Sequence, residues 1–206
     1  MAKSPPDEDS MPGFRHAVLG GFARAMTRNQ IATWAFVPAV PLCALAAGLW
    51  GWPLIIACAF GWALLGLAIS DVRHMILPDW LTLPLVPAGL IEGYIWGGVR
   101  ALQERSIGAA AGLLLFMAIG QAYRRWRGRD GLGGGDIKLV AGAGAWIGWQ
   151  GLPVLVLSAS LMALAVVAVT GLRGRPICRD QRVPFGAYLC LALWAIWLYG
   201  VPSRGW

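Results

Sequence analysis

Charge is scarce in this chain. Charged side chains make up 13% of its 206 residues, and only 10 of them are acids. With 58% hydrophobic residues and a mean hydropathy of +0.62, there is too little polar surface to cover a water-soluble domain. Histidine is scarcer still, with His16 and His74 the two copies. No HExxH helix, GxSxG turn, Walker loop or cysteine-histidine arrangement is present, which removes the common metal, serine and phosphate chemistries. Cys43, Cys58, Cys178 and Cys190 form no CxxC pair, and three of them sit inside apolar runs as small buried hydrophobes. Cys178, in a basic loop, is the one candidate reactive thiol. No metal and no cofactor are therefore expected. The net charge of +7 comes without a basic groove or recognition motif, so nucleic acid is not an expected partner.

What is plentiful is apolar length. Segments at about 31–50, 52–70, 81–98, 107–123, 137–151, 152–172 and 183–201 are mostly close to the roughly 20 residues that cross a 30 Å hydrocarbon core. They predict an all-α polytopic membrane bundle of about seven helices, with Gln150, Gly151 and Pro153 as the break between the fifth and sixth. Several of the 12 tryptophans lie near the ends of these runs, where indole favours the interface. Residues 1–30 hold Pro5, Pro6 and the acids Asp7, Glu8 and Asp9 without a signal-peptide core, and read as a cytoplasmic tail before a membrane-embedded domain at 31–206.

A cytoplasmic amino terminus puts Lys3, Arg15, Arg24, Arg28, Arg73, Arg124, Arg125, Arg127, Arg129, Lys138, Arg173, Arg175, Arg179 and Arg182 inside. Only Arg100, Arg105 and Arg204 remain outside. This bias toward the cytosol explains the net charge as a topology signal, with the lipid bilayer as the neighbour. It also brings two acids to one depth: Asp71, at the end of the second segment, and Asp136, at the start of the fifth.

Asp136 follows the glycine run of Gly131-Leu-Gly-Gly-Gly-Asp136-Ile-Lys138. An aspartate at the centre of a spanning helix costs roughly 2.5 to 3.5 kcal/mol, so one at the membrane edge usually has a use. Capping the helix is the plainer alternative. The fifth segment offers only 13 residues from Ile137 to Trp149, about 20 Å of helix. Two aspartates brought together share one proton, and such a pair can activate a water while polarising a carbonyl. The pair titrates as a unit.

The stretch Asp71 to Pro84, containing Leu77-Pro78-Asp79-Trp80-Leu81-Thr82-Leu83-Pro84, stands with Gly131 to Leu139 and Val183-Pro184-Phe185-Gly186-Ala187-Tyr188 in an order that resembles the type IV prepilin peptidase family. The GxGD element alone is shared with presenilin-like and preflagellin peptidases; three ordered elements are more specific. The resemblance implies a bacterial inner-membrane aspartic protease with Asp71 and Asp136 as the catalytic pair. Its substrates would be prepilins or pseudopilins, whose basic leaders are cut on the cytoplasmic side. Longer members carry a cysteine-tetrad domain linked to methylation; residues 1–30 contain no cysteine, so peptidase activity without that zinc site is expected.

Beyond the pair, Gly133 and Gly135 would admit the scissile backbone or pack on the second helix. Lys138 would balance charge near the pair or snorkel to the interface. Pro78 would break the chain before the third helix with Asp79 near its cap, and Pro184 and Gly186 would shape a loop over the site. Glu92 is the other intramembrane acid, and would be functional, face the outer interface or meet a polar partner between helices. Two rivals remain open: an ion-binding transporter, for which Glu92 would be the acid near the midplane, and a non-catalytic scaffold of a pilus or secretion machine.

Overall fold

The computed structural model describes residues 36–128, 131, 133–172 and 184–199, and all five elements in it are helices. They are α1 (Ala39–Ala46), α2 (Trp52–His74), α3 (Asp79–Arg127), α4 (Gly134–Leu172) and α5 (Phe185–Tyr199). The tail at 1–30, the loop with Cys178, and the basic residues Lys3, Arg15, Arg24, Arg28, Arg129, Arg173, Arg175, Arg179, Arg182 and Arg204 lie outside the described residues. Of the first apolar segment, 36–50 is described, and its helix is the eight-residue α1. Three helices, α2, α3 and α4, are long and apolar enough to cross a membrane, and α5 is a shorter apolar helix.

Two of the helices are too long for one crossing. The 49 residues of α3 would stretch about 74 Å as a straight rod, more than twice the hydrocarbon core. The rod is broken at Gly98, whose φ of 64° and ψ of −155° only glycine adopts readily. The two arms fold back on each other: Arg105 on the second donates to the Gly89 carbonyl on the first at 2.7 Å. Arg105 also pairs with Glu92, and both side chains are almost fully buried, at 12% and 5% exposure. The acid singled out as a midplane candidate is thus one half of a hairpin clasp. In α4 the break is at Gly148, φ 71° and ψ 176°, two residues before the expected Gln150 break. Glycine absorbs the bend because its φ is positive, and Pro153 falls in the opening turns of the arm that follows.

The first arm of α4 is the centre of the molecule. Every residue from Leu139 to Gly148 is buried. Small residues make room for it. A Cβ on Gly89 would lie 2.7 Å from the Ala145 carbonyl oxygen, and one on Gly108 would lie 2.6 Å from that of Gly144. Both arms of α3 therefore touch α4 backbone to backbone, and Gly108 and Gly112, one turn apart, both face it. This encirclement accounts for the shortness of the fifth apolar segment, since a helix sheathed by protein need not match the lipid thickness.

On its other side the arm joins α2 and α5 through an aromatic cluster. Phe60 of α2 stacks on Trp146 of α4 with centroids 3.7 Å apart, and Trp197 of α5 meets both edge-on at 5.4 and 5.9 Å. Trp146 Nε1 donates to the Leu85 carbonyl at 2.9 Å, tying the cluster to α3. Apart from Trp62, exposed midway along α2, the exposed tryptophans fall into two sets by chain position. Trp80 and Trp126 stand at the ends of α3, beside the end of α2 that carries Asp71, whereas Trp50, Trp52, Trp96 and Trp149 stand at the opposite helix ends and at the breaks. Along α2 the 19 steps from Trp52 to Asp71 rise about 28 Å, close to one hydrocarbon thickness.

Candidate active site

Asp71 lies one turn before the end of α2. The helix stops because Met75 takes a left-handed conformation, φ 53°, and its amide closes on the Asp71 carbonyl at 2.9 Å. Ser70 Oγ donates to the Ile76 carbonyl at 2.7 Å, which fixes the turn that follows. Pro78, extended at φ −69° and ψ 131°, is the cap position of α3, and Asp79 is its first helical residue. Sequence spacing placed both at this boundary, and the structure assigns the cap itself to the proline.

The Asp71 side chain is buried, with 4% exposure. Its Oδ2 accepts a hydrogen bond from the Ala187 amide at 2.9 Å, and the Gly186 amide is a second backbone partner. Both amides belong to the first turn of α5, where backbone N–H groups have no partner within the helix. A carboxylate from 116 positions away thus supplies the cap that α5 lacks locally, at the end of the helix dipole that favours negative charge.

Asp136 sits in the first turn of α4, its amide donating to the Gly133 carbonyl at 3.1 Å. Its side-chain Oδ1 is buried and, among the described residues, has no hydrogen-bond partner. A polar oxygen left in this state costs free energy unless water or a ligand meets it.

The two carboxylates converge on one point. A Cβ built on Gly186 would lie 3.0 Å from Asp136 Oδ1 and 3.0 Å from Asp71 Oδ2, so those oxygens are no more than twice that distance apart. The missing side chain of Gly186 is the gap between the acids. Leu77 Cδ1 closes the gap from beneath, 2.9 Å from the same point. The same leucine carries Gly135, whose Cβ would lie 2.9 Å from Leu77 Cβ.

The remaining predicted residues divide around this centre. Gly135 packs against Leu77, in the loop that follows α2 and not in the helix itself. Among the described residues, Gly133 meets only Asp136, with Oδ2 3.2 Å from its Cβ position. Pro184 is buried immediately ahead of α5. Gly186 belongs to the opening turn of α5 and not to a loop, because the helix starts at Phe185. Lys138 does not serve the acids directly: its Nζ holds both oxygens of Asp79, at 2.6 and 2.7 Å. Leu77, Ala187 and Cys190 were not singled out from the sequence. Leu77 stands inside the Asp71 to Pro84 stretch, so a signal existed. Cys190, four residues after Gly186 on the same helix face, is a buried thiol within electrostatic reach of both aspartates. Nothing in the sequence announces the Ala187 amide, which is a backbone group. No group of three His, Cys, Asp or Glu side chains gathers among the described residues.

Residues 58–168 match the type IV leader peptidase family. This chain belongs to that family. The matched residues include Asp71 and Asp136, and end before α5. Among curated proteins, the chain is similar to the prepilin leader peptidase/N-methyltransferase of Aeromonas hydrophila, 38% identical over 156 residues, covering 76% of this chain and 53% of that protein. The protein of the same name from Burkholderia pseudomallei strain K96243 is 41% identical over 164 residues, covering 77% and 52%. That from Pseudomonas aeruginosa is 39% identical over 139 residues, covering 68% and 47%. The chain of this leader peptidase family member thus spans about half the length of the curated relatives it matches. No solved structure matches it.

Proposed function

We propose that this chain is a membrane aspartic endopeptidase that removes the leader peptides of type IV prepilins or pseudopilins, with Asp71 and Asp136 as its catalytic pair. The observation that carries the proposal is the convergence of Asp136 Oδ1 and Asp71 Oδ2 on the side-chain-free face of Gly186. A water seated there would touch both acids. One carboxylate takes a proton from the water as its oxygen attacks the scissile carbonyl carbon, and the other, protonated, donates to the carbonyl oxygen. Collapse of the tetrahedral intermediate breaks the C–N bond, and the departing amine takes up a proton from the pair. The partnerless Oδ1 of Asp136 supports this role, as does the backbone grip on Asp71, which holds one carboxylate while the other faces the gap.

In this proposal the breaks at Gly98 and Gly148 turn α3 and α4 into two spans each, giving about seven helices in a membrane-embedded domain at 31–206. The acids face the cytosol in a bacterial inner membrane, the amino terminus is cytoplasmic, and precursor leaders enter from that side. The basic end of α3, with Arg124, Arg125 and Arg127, supports this orientation. Gly133, Gly135, Pro78, Pro184 and Gly186 shape the cleft. An ion-conducting reading loses support because its midplane acid, Glu92, is already neutralised by Arg105.

The test is leader cleavage in membranes containing the full chain and a prepilin. Asp71→Asn and Asp136→Asn should each lower the rate by at least about a hundredfold while the protein stays folded. Cleavage near the unsubstituted rate in either variant would overturn the assignment.

A further inference from the structure

At the level of the aromatic cluster, α2 and α4 touch through Phe60 and Trp146, but Phe60 stands 11 residues before Asp71, about 16 Å down the helix. The two helices make little direct backbone contact with one another. The gap between their acids is therefore not set by direct packing of α2 on α4. Two intermediaries set it: the first turn of α5, through the Ala187 amide, and the loop after α2, through Leu77 against Gly135. At its far end that loop carries an ionic contact. Asp79, two residues after Leu77, is held through both oxygens by Lys138, two residues after Asp136, at 2.6 and 2.7 Å.

Building on the proposed peptidase reading, we propose that the Asp79–Lys138 pair is a positioning clamp: it presses the Leu77 loop onto the first turn of α4 and so fixes the separation of the two aspartates. Neither residue is a catalytic group. Both are partly exposed, Lys138 at 40% and Asp79 at 58%, so replacing them leaves the packed core intact. A misplacement of about 1 Å at reacting groups costs on the order of a hundredfold in rate, so an exposed pair of small intrinsic strength can still control turnover.

The test uses the full chain in membranes with a prepilin, and four variants: Lys138→Gln, Asp79→Asn, the double variant, and Lys138→Arg. Each single loss should lower kcat by about tenfold to a hundredfold with KM within about twofold, and the double variant should be no worse than the poorer single one, because both remove the same contact. Lys138→Arg, which can also hold both oxygens, should keep most of the activity. Multiplying losses, a raised KM with unchanged kcat, or full activity in either single variant would each overturn the clamp. Hydrogen exchange provides a measurement that needs no substrate. Amides of residues 75–77 should exchange faster in Lys138→Gln and Asp79→Asn than in the unsubstituted chain, and Lys138→Arg should restore them; unchanged exchange counts against the clamp. Loss of the peptidase reading would show separately, as cleavage that survives in Asp71→Asn or Asp136→Asn.

Discussion

Gly186 occupies the position where any other residue would stand between the two acids. Its conformation is helical, so alanine there meets no backbone objection; the obstacle is the space, with Leu77 and both carboxylates at 2.9 to 3.0 Å from the new methyl. Gly186→Ala should consequently lower stability by about 1 to 3 kcal/mol, the crowding outweighing alanine's better helix preference. Its kcat for leader cleavage should fall about tenfold or more as the water is crowded out. Thermal unfolding in detergent alongside the cleavage assay separates the two effects, and unaltered turnover would mean that the gap is not where the water sits. Asp71 and Asp136 were legible in the sequence because hydropathy and basic residues put both at one membrane depth. The part played by Gly186 was only half legible. Its motif marked it, but whether it belonged to a loop above the acids or to a helix between them depends on how α5 docks, which no local pattern encodes.

Among the elements, the α3 hairpin shows what composition conceals. Its turn is legible, since the apolar segments at 81–98 and 107–123 are separate and the break falls at the end of the first, at Gly98. The clasp is only half legible: Glu92 called for the outer interface or a polar partner between helices, but Arg105 read as one of three outward basic residues, and their meeting requires the arms to be antiparallel in one register. Breaking such a buried pair leaves a lone charge, a loss of about 3 to 5 kcal/mol, whereas removing both charges costs far less. Arg105→Met should therefore lower the unfolding temperature markedly, and the added change Glu92→Gln should recover much of it. Equal destabilisation by the single and double variants would indicate that the pair is not what holds the hairpin. The same register lets Gly108 and Gly89 approach α4 from two sides, so its central arm is enclosed by its own chain.

For the whole molecule, the two sets of exposed tryptophans and the ends of α2 and α3 define two faces, one bearing the acids and the other the hairpin tip. With the native cysteines replaced, a single cysteine at Ile76, 63% exposed beside the site, should resist a membrane-impermeant thiol reagent in intact spheroplasts and react in inverted vesicles. A cysteine at Val99, 62% exposed at the hairpin tip, should do the reverse. Matching behaviour at both positions would contradict the proposed topology. The order in which the site is made also follows from the chain. Asp71 and Asp136 leave the ribosome first, and the helix whose opening turn grips one of them and separates it from the other comes afterwards. A nascent chain halted after α4 would own both acids and the Asp79–Lys138 contact but not the turn that grips Asp71, so under the proposed function it would be born inert and armed only when α5 arrives.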